Sequence, residues 1–165
     1  MTYSDTIKNI LSDDGVKSAV IKRDLPFLNT KVNEYLRILG FNINIEFNET
    51  FDLIVTNVRK AGYQYQSFSN GQKKRIDLAI LLSFMDLAKR KSSFSTNLLI
   101  LDEILDTSID SEGIDNFFQI LYNRIKSDNL NVFIISHKKD INFQDCRKIE
   151  VYQEGEFSVI KSDNK

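Results

Sequence analysis

The sequence lacks the features that mark secreted and membrane-spanning proteins. Its 165 residues contain a single cysteine, Cys146, which cannot form a disulfide within the chain and therefore favours a reducing compartment. No apolar run approaches the roughly 20 residues of a membrane span, and no signal peptide opens the chain. We therefore expect a cytoplasmic protein with no membrane partner.

A strong excess of charge of either sign is also absent. The chain carries 22 Lys and Arg against 23 Asp and Glu, which gives a formal net charge of −1. A protein that binds nucleic acid through a uniformly basic surface would be far more positive, so any contact with DNA must come from a local patch. Length and a hydrophobic content of 42% suit one domain with its own core, and no internal repeat is present.

The sequence has no G-x-x-x-x-G-K-[ST] phosphate-binding loop, yet it contains a segment typical of half a nucleotide site. In "YQSFSNGQKKRIDLAILL" (65–82), a serine and a glycine precede a basic cluster and an apolar-periodic run. Ser69 and Gln72 have the S-x-x-Q spacing of a capping box, which alone explains a helix start. The cations at 73–75 oppose the helix macrodipole, so a nearby anion would relieve a local conflict.

The first part of the chain has the pattern of a helical arm followed by a β-hairpin. A loose helical pattern covers residues 1 to about 24, and a clearer one begins at Pro26, which suits a first turn, and stops at Gly40. Apolar residues recur in the second helix at helical spacing: Leu28, Val32, Tyr35, Leu36 and Leu39. Alternation over 41–48 and a second strand at about 51–58 predict the hairpin. We divide the chain into an arm, 1–40, and a lobe, 41–165.

The lobe has the pattern of a βαβ unit. After a helix that extends to about Lys91, "NLLIL" (97–101) is a short and wholly apolar strand, as expected in a parallel sheet that is buried on both faces. A helix at about 112–126 and a second apolar strand at 131–136 complete the unit. Two further strands are predicted near 147–152 and 156–160, with Glu154-Gly155 as the turn.

Polar side chains follow both apolar strands. Asp102 and Glu103 come directly after the first, and His137, the only histidine of the chain, follows the second. Because ligands of open α/β sheets bind beyond the carboxyl ends of the strands, we expect these three side chains to converge on one edge. A carboxylate there can hold Mg²⁺, and a second can polarise an attacking water. Taken singly, each is more often an ordinary solvated residue.

The order of these motifs resembles that of the ABC ATPases. "FSNGQ" (68–72) resembles the ABC signature, usually written LSGGQ, although asparagine replaces its first glycine. "LLILDE" (98–103) resembles a Walker B strand with its catalytic glutamate, and "SID" (108–110) resembles the D-loop, although the spacing before it is about one residue longer than usual. His137 resembles the switch histidine.

Within that class the chain is similar to the SMC-like ATPases of DNA repair, in which a coiled coil separates the two lobes of the head, and in particular to the ATPase subunits of bacteriophage recombination endonucleases. The resemblance implies an α/β fold, the C-terminal lobe of an ABC-type (SMC-like) head. It implies ATP and Mg²⁺ as cofactors. The implied partners are an N-terminal lobe with the Walker A loop, a second head in a homodimer, a nuclease subunit and DNA. A viral protein of this family would act in the host cytoplasm.

The resemblance also implies roles for individual residues. Asp102 would bind the metal, and Glu103 and His137 would be catalytic. The signature loop of this family docks on the γ-phosphate held by the opposite head. Five residues are therefore expected to contact ATP, partly in trans: Ser69, Asn70, Gly71, Gln72 and Asp110. Without a Walker A loop, the chain alone is not expected to hydrolyse ATP.

Two other functions remain open at this point. One is an ABC ATPase of another class, such as the transporter type, for which a short helical subdomain rather than a helical arm would precede the signature. The other is an interaction module that does not hydrolyse ATP and keeps a degenerate site.

Overall fold

The computed structural model describes residues 13–56, 64–91, 97–104, 109–137 and 146–162, with the side chains of the first helix from residue 22 onward. The helices are α1 (Asp13–Ile38), α2 (Asn70–Lys91) and α3 (Ser111–Asp128), and a 3-10 turn (Tyr65–Ser67) precedes α2. The strands are β1 (Ile45–Phe47), β2 (Leu53–Val55), β3 (Leu98–Asp102), β4 (Asn131–Ile135), β5 (Ile149–Glu154) and β6 (Phe157–Ser162). They pair as β1–β2, β3–β4 and β5–β6, so the predicted α/β composition is confirmed. None of the helices in these ranges is long and apolar enough to cross a bilayer.

Pro26 lies inside α1, so the prediction that it begins a second helix is wrong. Proline removes a backbone hydrogen bond and costs a helix interior about 3 kcal/mol. The buried stripe continues on both sides of it, with Leu25 before and Leu28 after. Burial of each such side chain stabilises the fold by about 1.5–3 kcal/mol, which offsets the proline. Residues 1–12 of the predicted first helix lie outside the described residues.

The end of α1 is the predicted one. Gly40 has a φ of +73°, its N–H donates to the carbonyl of Arg37 at 3.1 Å, and the N–H of Phe41 donates to the carbonyl of Leu36 at 2.8 Å. This is a Schellman motif, which glycine permits at no steric cost. The apolar stripe of this helix is buried in the same core as residues of α2 and α3: Leu28, Val32, Leu36, Leu39, Ile76, Leu82, Phe117 and Leu121.

The first hairpin is confirmed, but its strands are shorter than predicted. The register pairs Ile45 with Val55 and Phe47 with Leu53, and residues 57 and 58 lie outside the described part of the chain. Two asparagines of α1 hold the other edge of β1. The Asn33 amide exchanges hydrogen bonds of 2.8 and 2.9 Å with the backbone of Ile45, and Asn29 does the same with Phe47. The arm and the hairpin are therefore joined through backbone groups that would otherwise be unpaired.

A nearly buried ion pair joins the three helices. The Arg124 guanidinium of α3 contacts the carboxylate of Asp86 in α2 and the hydroxyl of Tyr35 in α1. Tyr35 also donates to Asp86 at 2.7 Å. Burial, together with this hydrogen bond to a carboxylate, raises the pKa of Tyr35 to about 12. The cluster fixes the arm against the two helices of the lobe.

The βαβ unit is confirmed, with β3 and β4 paired in parallel from Leu98↔Asn131 to Asp102↔Ile135. The prediction that this sheet is buried on both faces is wrong for the residues described. Leu99 and Leu101 face the core, whereas the alternate residues are 46–57% exposed: Leu98, Ile100, Phe133 and Ile135. A wholly apolar strand is typical of a sheet that is buried on both faces. Here α2 and α3 pack in the core on one face only. We call the other the bare face of the sheet.

The last hairpin is shifted by about two residues from its prediction. The register pairs Glu154 with Phe157, so the turn is Gly155-Glu156 rather than Glu154-Gly155. Gly155 has a φ of +65°, which explains why the glycine opens the turn rather than closing it. Strand β5 is exposed along its whole length.

Candidate functional site

Glu103 and His137 meet at the carboxyl edge of the parallel strand pair, as the sequence predicts. The Glu103 Oε1 and His137 Nε2 atoms are 2.8 Å apart, and the two side chains are 62% and 82% exposed. An ionised carboxylate can only accept, so Nε2 carries the hydrogen of this bond. The pair is thus a hydrogen-bonded acid and imidazole. Both side chains are exposed, so a ligand can reach them.

The backbone of Glu103 is strained. Its φ of +52° lies in the left-handed region, which costs a residue with a side chain about 1–3 kcal/mol. Its N–H donates to the carbonyl of Ile135 at 2.9 Å and so extends the parallel ladder by one residue. The chain therefore turns sharply where β3 ends, while its position beside β4 stays fixed. Strain of this kind concentrates at functional sites.

Asp102 is the last residue of β3 and is exposed. Since side chains alternate along a strand and Leu101 faces the core, Asp102 lies on the bare face together with Ile100. Its oxygen donors fit a hard cation such as Mg²⁺. Among the residues described, no group of three or more candidate ligands could hold a metal. Any further ligands would therefore come from a phosphate, water or other residues.

The segment that resembles a signature is a capping box. The Ser69 N–H donates to Gln72 Oε1 at 3.0 Å, and the Gln72 N–H donates to Ser69 Oγ at 3.3 Å. Phe68, which stands where the usual motif has leucine, is buried and packs edge-on against Phe41 at 5.7 Å between ring centroids. Asn70 and Gly71 form the first helical turn of α2. The loop is thus anchored by an aromatic side chain and leaves Ser69 exposed.

The anion expected near the basic cluster is Asp110. Arg75 Nη2 lies 2.6 Å from Asp110 Oδ1 and 2.7 Å from Oδ2, and Asp110 also caps α3 by accepting from the Gly113 N–H at 2.8 Å. The Gly113 hydrogen bond, followed by that of Arg75, holds the pKa of Asp110 below its usual range. Asp110 is therefore the start of a helix as well as a predicted ATP contact, and the sequence does not predict its link to Arg75. Ser108 lies outside the described residues.

The fold is similar to that of solved SMC ATPase structures, and it corresponds to about half of two of their head domains. A structure described under ATP-driven dimerization and DNA-stimulated activation of SMC ATPases matches with a TM-score of 0.69 at 15% identity, over 89% of both chains. The SMC head domain from Thermotoga maritima matches with a TM-score of 0.58 at 18% identity, over 90% of this chain and 52% of that one. An SmcHead bound to the C-winged helix domain of ScpA gives 0.66 at 17% identity, over 94% and 48%.

In sequence, the chain is similar to the bacteriophage proteins named exonuclease subunit 2. It is 38% identical to that of Enterobacteria phage T4 and 36% identical to that of Escherichia phage RB69, each over 158 residues and 93% of the chain. The probable exonuclease subunit 2 of Escherichia phage T5 is 33% identical over 109 residues, which are 64% of this chain and 17% of that protein. The chain spans only 27% of the T4 and RB69 proteins. No protein-family model matches it.

Proposed function

We propose that this chain is the C-terminal part of the ATPase head of a nuclease complex of DNA repair or recombination. ATP-dependent dimerisation of two heads, followed by hydrolysis, controls the nuclease on DNA. The observation that carries the proposal is the Glu103–His137 contact at the edge of the parallel strands. The relatives are exonuclease subunits, which supports a nuclease partner and disfavours the transporter alternative.

The roles of the site residues follow from their chemistry. Mg-ATP, when bound, supplies the γ-phosphoryl group that water attacks. Glu103 is the general base, since its exposed carboxylate can accept a proton from that water. His137 holds the base in place through its Nε2–H and is near enough to contact the same water. Asp102 provides an oxygen ligand for Mg²⁺.

The bare face of the sheet supports a second lobe that covers it. Its four large apolar side chains are each about half exposed, and burial of each would stabilise an assembly by roughly 1–2 kcal/mol. The T4 and RB69 relatives are nearly four times as long as the aligned segment, so most of such a protein lies outside this chain. We propose that an N-terminal lobe with a phosphate-binding loop covers this face. Asp102 would then lie beside the phosphates.

The signature segment is proposed to act on the opposite head. The N terminus of α2 presents backbone N–H groups and the positive end of its macrodipole, which favour an anion. Ser69 is exposed there, and Gly71 has no side chain to hinder the approach of a phosphate. Asn70 and Gln72 complete the segment, and Gln72 also maintains its shape through the capping box.

The test uses the proposed head in complete form, in which this chain is combined with the N-terminal lobe; we call this the full-length subunit. Glu103→Gln should keep ATP binding, lower turnover by about 10²–10⁴-fold, and accumulate the ATP-bound dimer. Glu46→Gln, which removes an exposed carboxylate from strand β1, is the control and should hydrolyse ATP at the wild-type rate. Near wild-type turnover of Glu103→Gln would rule out Glu103 as the base. Turnover by the isolated chain that Glu103→Gln abolishes would show that no second lobe is needed.

One observation favours a module that does not hydrolyse ATP. The capping box accounts for Ser69 and Gln72, and the start of α3 accounts for Asp110, without any nucleotide. Equilibrium binding of labelled ATP to the full-length subunit separates the two functions. Such a module would show neither ATP binding that depends on Asp102 nor turnover that depends on Glu103.

A further inference from the structure

We propose that Arg75 is a positioning residue that locks the start of α2 to the start of α3, so that the signature segment and Asp110 approach a second head as one unit. The inference rests on the proposed function, because it concerns the same contact between heads. Its basis is the ion pair between Arg75 and Asp110, which are 35 residues apart in sequence and lie at two helix N termini.

The pair connects two helix caps directly. Ser69 caps α2, Asp110 caps α3, and Arg75, in the second turn of α2, bonds both oxygens of the second cap. The Arg75 side chain is 12% exposed and that of Asp110 is 58% exposed, so solvent reaches the pair only from the Asp110 side. Movement of either cap relative to the other would break at least one of these bonds.

Gly113 makes this close approach possible. A Cβ atom at Gly113 would lie 3.1 Å from Arg75 Nε and 3.1 Å from Asp110 Oδ1, which is tighter than ordinary contact. Glycine in a helix is less favourable than alanine by about 1 kcal/mol. Gly113 therefore lowers the stability of the first turn of α3 but leaves room for the Arg75 side chain.

The pair is also poorly arranged for stability alone. Arg75 Nε is buried and has no hydrogen-bond partner within the described part of the chain. A buried donor without a partner costs about 1–3 kcal/mol. An ion pair that served only to stabilise the lobe would not require this loss. A requirement for the relative position of the two caps accounts for it.

The experiment compares Arg75→Gln with Lys74→Gln in the full-length subunit. Both remove one positive charge from the same turn, but only the first breaks the bond to Asp110. ATP affinity of the single head, ATP-dependent dimerisation by sedimentation, and the Hill coefficient of hydrolysis are measured for each. Arg75→Gln should keep ATP affinity within about threefold and weaken dimerisation by about tenfold or more, as expected for loss of a charge-assisted hydrogen bond. Lys74→Gln should resemble wild type.

A second pair of variants leaves every charge in place. Gly113→Ala adds a methyl group that displaces Arg75, whereas Gln119→Ala introduces alanine at an exposed position of the same helix. Gly113→Ala should reduce dimerisation, and Gln119→Ala should not. If the two caps act as a unit, Arg75→Gln combined with Asp110→Asn should be no worse than the more severe single variant. If Arg75→Gln does not fold, Arg75→Lys replaces it and should give intermediate dimerisation.

The outcomes separate this inference from the proposed function. Wild-type subunit that does not dimerise with ATP would refute the proposed function, and the role of Arg75 with it. Wild-type subunit that dimerises, together with Arg75 and Gly113 variants that dimerise equally well and differ only in unfolding temperature, would refute the positioning role alone. Equal loss of ATP affinity and dimerisation in Arg75→Gln would also refute it, since the residue would then act on nucleotide binding.

Discussion

Removal of the Asp86 carboxylate should destabilise the lobe strongly, because it leaves the Arg124 charge buried with only the more distant Asp128 carboxylate, 4.0 Å away. The side chains of Arg124 and Asp86 are 9% and 19% exposed. Loss of one partner from a buried pair costs about 3–5 kcal/mol, and the partial exposure of Asp86 favours the lower end. We expect Asp86→Ala to lower the free energy of unfolding by about 3 kcal/mol, a large share of the 5–15 kcal/mol typical of a domain.

Urea denaturation followed by far-UV circular dichroism measures this loss. With a slope of about 1–3 kcal/mol per molar urea, the midpoint should fall by about 1–3 M. Lys31→Ala removes an exposed i,i+3 pair with Glu34 and is the control, with an expected loss below about 0.5 kcal/mol. Asp86→Leu combined with Arg124→Met removes both charges and should recover part of the stability.

Either of two results would refute this reasoning. The first is an Asp86→Ala variant no less stable than Lys31→Ala, which would mean that water or another group compensates the Arg124 charge. The second is a double variant whose loss equals the sum of the losses of Asp86→Leu and Arg124→Met measured singly, which would mean that the residues do not interact energetically.

Three further predictions concern single residues. Ser69→Ala should lower the free energy of unfolding by about 1 kcal/mol through the lost cap. Ser69→Arg should leave the fold intact and abolish ATP-dependent dimerisation of the full-length subunit, measured by sedimentation. An unaltered dimer would leave Ser69 with the capping role alone. Tyr35 and Tyr65, whose pKa values are raised to about 12 chiefly by burial, should ionise well above pH 10 in a titration at 295 nm. Because the folded chain keeps these two protons while unfolded tyrosine loses them near pH 10, stability should fall as the pH rises from about 10 to 12, and Tyr35→Phe should reduce that fall. Pro26→Ala should raise the urea midpoint, since it restores a hydrogen bond inside α1; a lower midpoint would argue that the proline belongs to a helix start.

The features that depend on short sequence spacing could be predicted. The capping box at Ser69 follows from a three-residue interval, and the Schellman end of α1 follows from one glycine. The meeting of Glu103 and His137 required one further rule, that the carboxyl ends of adjacent parallel strands share an edge. Each of these depends on a local pattern or on the order of elements along the chain.

The features that depend on distant partners could not be predicted. Pro26 has a local preference for a helix start, but burial of the stripe on both sides of it outweighs that preference. The partner of Arg75 is 35 residues away, and nothing in the sequence distinguishes Asp110 from other acids as that partner. The apolar strand at 98–102 indicates that both faces of its sheet are buried. It does not indicate whether residues of this chain or of another lobe pack on each face.

The hydroxyl of Ser69 can form another hydrogen bond in addition to the one that caps α2. The bond from the Gln72 N–H engages Oγ as an acceptor, and a hydroxyl has one proton to donate in addition to its lone pairs. Holding the helix start and donating to an anion therefore use different parts of the same group and can occur together. Aspartate caps a helix as well as serine does, but it has no proton to donate and its charge would repel an anion. If the segment contacts a phosphate, the residue at position 69 must be able to donate a hydrogen bond, and the ability to cap the helix is not sufficient.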